Sequence, residues 1–127
     1  MTVQKSAISN WLAVSETQEP GVYKTDFAEH HLGNTFIRSL HGGVSASFIE
    51  VCAEAEAAKH VDDDASLAII NSSTDYLRVT KDDDLYGRAT ILKISRRLAV
   101  IDVTCWQDEE TMPVVRGVVS LKIGTMS

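Results

Sequence analysis

The stretch from His41 to His60, HGGVSASFIEVCAEAEAAKH, constrains this chain more than any other. It opens on two glycines and continues in small and apolar residues with a helical cadence. Val44, Ala46, Phe48, Ile49, Val51, Cys52, Ala53, Ala55, Ala57 and Ala58 leave no face that is polar throughout. A helix apolar nearly all round belongs inside a core. Glu50, Glu54 and Glu56 nevertheless interrupt it. An ionised carboxylate in a buried segment is costly unless it is paired, hydrated or functional. Glu50 meets that objection most directly, because Phe48 and Ile49 precede it and Val51 and Cys52 follow. It is the leading candidate for a catalytic group, and an ion pair with a basic side chain from another strand is the structural alternative.

The whole-chain figures bound what surrounds this helix. A chain of 127 residues is expected to form a single domain spanning 1–127. With 44% hydrophobic and 24% charged residues it falls in the soluble, globular class. A net charge of -6 argues against nucleic acid or an anionic membrane as the main partner, while leaving room for a small anionic ligand at a local basic cluster. Cys52 and Cys105 lack metal-ligand or CxxC spacing and are expected to be reduced and buried. No signal peptide or membrane span is visible, so the cytoplasm is the expected compartment.

Residues 5–14 suggest a short N-terminal helix, with Ile8, Trp11 and Leu12 on one face. Residues 15–21 read as a loop closed by Pro20-Gly21, 22–30 as a strand, and 31–40 as a second loop. The central helix runs from about Gly42 to Lys59. Asp62, Asp63 and Asp64 mark its end, since acidic groups are unfavourable at the negative end of the helix dipole. Period-2 patterning then takes over in four strand candidates, 67–78, 85–95, 98–107 and 113–124. Short turns between them predict an antiparallel meander. The expectation is an α+β fold: about five antiparallel strands wrapped around one long central helix, with a short N-terminal helix. Such a sheet leaves edges unpaired, and pairing across a two-fold axis predicts a homodimer or homotetramer.

Five pieces of sequence then fall in a particular order: Gly33-Asn34, His41-Gly42-Gly43, Glu50 nine positions after that histidine, Tyr76-Leu77-Arg78, and Arg96-Arg97-Leu98-Ala99-Val100. In this order they resemble the hotdog-fold thioesterases, more narrowly the phenylacetate-pathway type in the 4-hydroxybenzoyl-CoA thioesterase superfamily. The resemblance covers about residues 20–124. It implies hydrolysis of an acyl- or aroyl-CoA thioester, no cofactor and no metal.

That chemistry needs a polarised carbonyl, an activated water and a held acyl-CoA. A helix N-terminus presents unpaired N–H groups, and Gly42 and Gly43 allow a substrate oxygen to approach them. By resemblance Gly42 donates the N–H. Glu50, eight residues on, is read as lying on nearly the same side of the helix as Gly42. By resemblance it acts either as general base on water or as a nucleophile forming a mixed anhydride. The resemblance gives His41 a positioning role and Asn34 (or Thr35) a role in orienting water or the carbonyl. A capping role for His41 is equally compatible with its place before the helix. Gly43, Tyr76, Arg78, Arg96 and Arg97 are the candidate substrate-binding residues, the arginines for the phosphates of CoA; ordinary solvated turns explain the same arginines. Two departures stand out. Ile69 occupies the place of a family Ser or Thr seven residues before the tyrosine, with Asn71, Ser72 and Ser73 as possible replacements. Val79 follows Tyr76-Leu77-Arg78 where the family has proline. A non-catalytic acyl-CoA-binding module and a dehydratase or hydratase of the same fold are the alternatives.

Overall fold

A 17-residue helix, α1 (Gly42–Ala58), lies across one face of a six-stranded antiparallel sheet. The structure is a computed structural model and describes residues 12–26, 32–34, 39–40 and 42–125. In chain order the strands are β1 (Val14–Glu16), β2 (Val22–Thr25), β3 (Leu32–Asn34), β4 (Ser39–Leu40), β5 (Ala65–Tyr76), β6 (Leu85–Ile94), β7 (Leu98–Trp106) and β8 (Val115–Thr125). The sheet order is β1-β2-β6-β7-β8-β5, while β3 and β4 form a separate two-stranded ladder. This is the expected α+β architecture, with six strands rather than about five.

Three expectations change. The segment read as a loop from residue 15 begins inside β1, whose three residues are too few for a period-2 pattern to register. Its hairpin with β2 does turn at Pro20-Gly21: Gly21 has φ +84, and Val22 N–H donates to the Glu19 carbonyl at 3.1 Å. Within the second expected loop, Leu32–Asn34 and Ser39–Leu40 pair as strands. Finally, the last four strands are not a meander. β6, β7 and β8 follow one another, but β5 pairs with β8 and so lies at the far edge of the sheet. The expected N-terminal helix lies outside the described residues up to residue 11, and Val14 at its far end belongs to β1. Residues 27–30 of the first expected strand also lie outside them.

The helix and the sheet are matched in size. Seventeen residues rise about 25 Å, and six strands span about 24 Å between their outer members. From start to end α1 passes from the β5 side of the sheet to the β2 and β1 side. Gly42 abuts Tyr76 of β5, Ile49 packs on Gly117 of β8, Phe48 packs on Gly87 of β6, and Glu56 bonds Tyr23 of β2. Just beyond the helix, Lys59 pairs with Glu16 of β1. A Cβ at Gly117 would lie 2.8 Å from the Ile49 side chain, and one at Gly87 would lie 2.9 Å from the Phe48 ring. These two glycines let the helix settle onto the sheet. Phe48, Ile49, Cys52, Ala99, Ile101, Val103, Cys105, Val115, Val119 and Leu121 form the centre of the core. Both cysteines are free and buried. Among the described residues no helix is long and apolar enough to cross a membrane.

Candidate active site

The helix is not covered all round within one chain. Val44, Ser45, Phe48, Ile49, Val51, Cys52, Ala53 and Ala57 are buried. Gly43, Glu54 and Ala58 are exposed, and Ser47 and Glu50 are half-buried. At 100° per residue these last five fall on one narrow stripe. Glu50 therefore lies on the open side of the helix rather than inside the core that its neighbours in sequence suggest.

The same angle corrects the pairing of Glu50 with a glycine. Seven residues separate it from Gly43, a rotation within about 20° of two full turns. Eight separate it from Gly42, which leaves the two about 80° apart. Gly43 is thus the glycine in line with the carboxylate. Gly42 faces β5 instead, where its carbonyl accepts a hydrogen bond of 2.9 Å from the Tyr76 hydroxyl. Going round the helix, Phe48 meets β6, Ile49 meets β8 and Gly42 meets β5; the Glu50 stripe comes next. It consequently adjoins β5, the edge strand.

Glu54 shares that stripe, one turn beyond Glu50. Partial burial, followed by the charge of Glu50, pushes its carboxyl above the ordinary carboxylate range. Glu56 leaves the stripe and joins the other end of the helix. There the buried Tyr23 hydroxyl donates to Glu56 Oε1 at 2.9 Å, and Lys59 Nζ lies 3.0 Å from the same oxygen. Lys59 also donates to Glu16, which accepts from the Gly21 N–H at 2.9 Å. The three helix glutamates, alike in sequence, thus separate into two on the open stripe and one in a structural clasp.

On β5 the side chains sort by register. Tyr76 pairs with Val115, Thr74 with Gly117 and Ser72 with Val119, all on the helix side of the sheet. Of the three residues considered as replacements at Ile69, Ser72 is therefore on the helix side, whereas Asn71 and Ser73 face away. Thr74, half-buried two residues before Tyr76, joins Ser72 on that face and was not singled out from sequence. Period-2 counting back from Tyr76 would have found it. Phe48 is fully buried against Gly87 and belongs to the core.

The arginines divide as well. Arg78 donates to the Pro113 carbonyl and secures the segment leading into β8. Arg96 and Arg97 lie in the β6–β7 turn. Seven residues along β8 separate the Tyr76–Val115 pair from the Leu98–Lys122 pair, about 23 Å of strand. One chain therefore does not bring Arg96 or Arg97 to the start of α1. Asn34 is at the end of β3; its side chain, and all of His41 and Thr35, lie outside the described residues.

The assembled features are helix N–H groups at two glycines, a carboxylate in line with the second, and a tyrosine fixing the first. Such a group can polarise a carbonyl and activate water beside it. A family model described as the thioesterase superfamily matches residues 38–114, more than half of the chain. No curated protein matches. Solved structures with similar folds include a Mycobacterium tuberculosis protein provisionally described as an esterase, with 26% identity, 96% of this chain and 99% of that one covered, and a TM-score of 0.84. A Haemophilus influenzae thioesterase gives 17% identity, 97% and 85% coverage and a TM-score of 0.83. A Bacillus halodurans protein crystallised with CoA gives 13% identity, 94% and 76% coverage and a TM-score of 0.80.

Proposed function

The chain belongs to the hotdog-fold thioesterase superfamily, and from that premise we propose that it hydrolyses an acyl-CoA thioester to the free acid and CoA. The observation that carries this reading is the open stripe of α1, which leaves Glu50 accessible and in line with a glycine of the helix start. As general base, Glu50 takes a proton from water while the water oxygen attacks the thioester carbonyl. The helix N–H groups at Gly42 and Gly43 stabilise the oxyanion that forms. Collapse expels the CoA sulfur, which leaves as the thiol after receiving a proton. A direct attack by the carboxylate, giving a mixed anhydride and free thiol before water enters, uses the same residues.

A second copy completes this site. The Glu50 stripe adjoins β5, and β5 is a long strand at the edge of the sheet, with no strand on its outer side among the described residues. Ile70 is 59% exposed on it. Pairing β5 with β5 of another copy would satisfy that edge and enclose Glu50. The same enclosure would supply the dry surroundings that strengthen the oxyanion contacts.

Steady-state thiol release from a panel of aromatic and aliphatic acyl-CoAs, wild type beside Glu50→Ala, tests the proposal. The variant is expected to lose about 10²–10⁴-fold in turnover while still binding acyl-CoA. Binding without turnover in the wild type would instead identify a sensor.

A further inference from the structure

Glu54 has no part in the reaction as proposed, yet it stands on the stripe that carries it. Along the open side of α1 the order from the helix start is Gly43, Ser47, Glu50 and Glu54. Side chains lean towards the start of a helix. The carboxylate of Glu54 therefore follows that of Glu50 after one turn, about 6 Å further from the glycines. Glu56 pairs with Lys59, but Glu50 and Glu54 have neither an ion pair nor a hydrogen bond among the described residues.

Among the described residues no cation offsets these two charges. Twelve lysines and arginines occur in the chain, and all but Lys5 and Arg38 are described. Lys24, Lys59, Lys81, Arg88 and Arg116 pair with other carboxylates, and Arg78 donates to the Pro113 carbonyl. Lys93, Arg96, Arg97 and Lys122 belong to the β6–β7 end of the sheet. What β5 turns towards the helix beside the stripe is polar but uncharged: Ser72, Thr74 and Tyr76, three hydroxyls at alternate positions. The positions paired with them are Val119, Gly117 and Val115 on β8, and the rows continue in Ile101, Val103 and Cys105 on β7. Hydroxyls thus replace apolar groups where the sheet comes beside Glu50 and Glu54, and basic groups do not.

A thioester carbonyl held at the glycine N–H groups has the acyl group on one side and the sulfur of CoA on the other. The nucleotide end of CoA is polyanionic, and two uncompensated carboxylates repel it, so the acyl group takes the side of Glu54. We infer that Glu54 is a specificity-determining residue, which restricts the site to uncharged acyl groups and turns away those that end in a second carboxylate. The inference rests on the thioesterase reading. Two like charges about 6 Å apart in a partly dehydrated site suffice for about tenfold discrimination.

Three pairs of substrates matched in length test it: butyryl- against succinyl-CoA, hexanoyl- against adipyl-CoA, and benzoyl- against 4-carboxybenzoyl-CoA. Thiol release by the full chain gives kcat/KM for each. The expected wild-type ratio of neutral to carboxylated substrate is at least about tenfold in every pair that is turned over. Glu54→Gln, which keeps the shape and drops the charge, narrows that ratio at least about threefold. Glu54→Asp, which keeps the charge, leaves it wide. Both variants are checked for the wild-type unfolding transition, and added salt narrows the wild-type ratio with no substitution at all. A wild-type ratio near one, the wild-type ratio in Glu54→Gln, or equal narrowing in Glu54→Asp would overturn the inference and leave the thioesterase reading standing. Turnover of none of the six substrates would overturn both.

Discussion

Tyr76 ties the first turn of α1 to the end of β5 through one hydrogen bond to the Gly42 carbonyl. The bond is on the surface, and removing it should cost only about 0.5–1.5 kcal/mol of stability. Its leverage on the proposed reaction is greater, because the peptide it holds adjoins the oxyanion donors. Tyr76→Phe is expected to lower kcat several-fold with little change in KM, read from steady-state thiol release. An unchanged kcat would separate Tyr76 from the chemistry. At this scale the sequence was informative about identity and less so about angle. The glycine pair and Glu50 stand out because a carboxylate amid Phe48, Ile49, Val51 and Cys52 demands explanation. That Glu50 faces outward, in line with Gly43 and not Gly42, depends on which helix face the sheet leaves bare. The free appearance of Arg78 in sequence likewise gives no hint of Pro113, which becomes its neighbour only when β5 and β8 pair.

Among the elements, α1 depends on close approach to the sheet at Gly117 and on the clasp at its C-terminal end. Gly117→Ala would bring a methyl to 2.8 Å from Ile49 and 2.9 Å from the Ser73 carbonyl. A loss of about 1–3 kcal/mol follows from such overpacking, and a lower thermal unfolding midpoint would report it. The clasp responds to pH. Burial alone would raise the Glu16 carboxyl, but the Gly21 N–H and Lys59 outweigh it and hold the pKa below the usual 4.5. A depressed carboxylate stabilises the fold above its unfolded pKa, and this contribution is lost as pH falls through the folded one. The unfolding midpoint should therefore drop as pH is taken below about 4.5, and Glu16→Gln should lower it at neutral pH while flattening that acid slope. A parallel acid slope in the variant would place the loss elsewhere. The long strands were legible here because each carries a clean two-residue period. β1, β3 and β4 have three, three and two residues and offer no period to read.

At the scale of the whole molecule, strand order was the least legible property. β5 precedes β6 in the chain, and adjacency in sequence favours adjacency in space. The structure instead gives β5 to β8, in a register running from Ala65↔Thr125 to Tyr76↔Val115. That placement puts β5 at the edge and the Glu50 stripe beside it, so assembly and activity should be coupled. Ile70→Lys, at the exposed centre of β5, is expected to shift the protein towards monomer in light scattering and to reduce turnover in parallel. A monomer of full activity would show that one chain suffices. The helix itself is anchored at both ends, by Tyr76 at Gly42 and by Glu16 at Lys59. It resembles a beam cut to its span. One inserted residue would advance everything beyond it by about 1.5 Å and turn it by about 100°, swinging Glu50 off the open side or tearing one anchorage free. Related chains should consequently vary in length at the Ser95–Arg97 turn or the 107–114 connection, while the count of residues between the paired glycines and Lys59 stays constant.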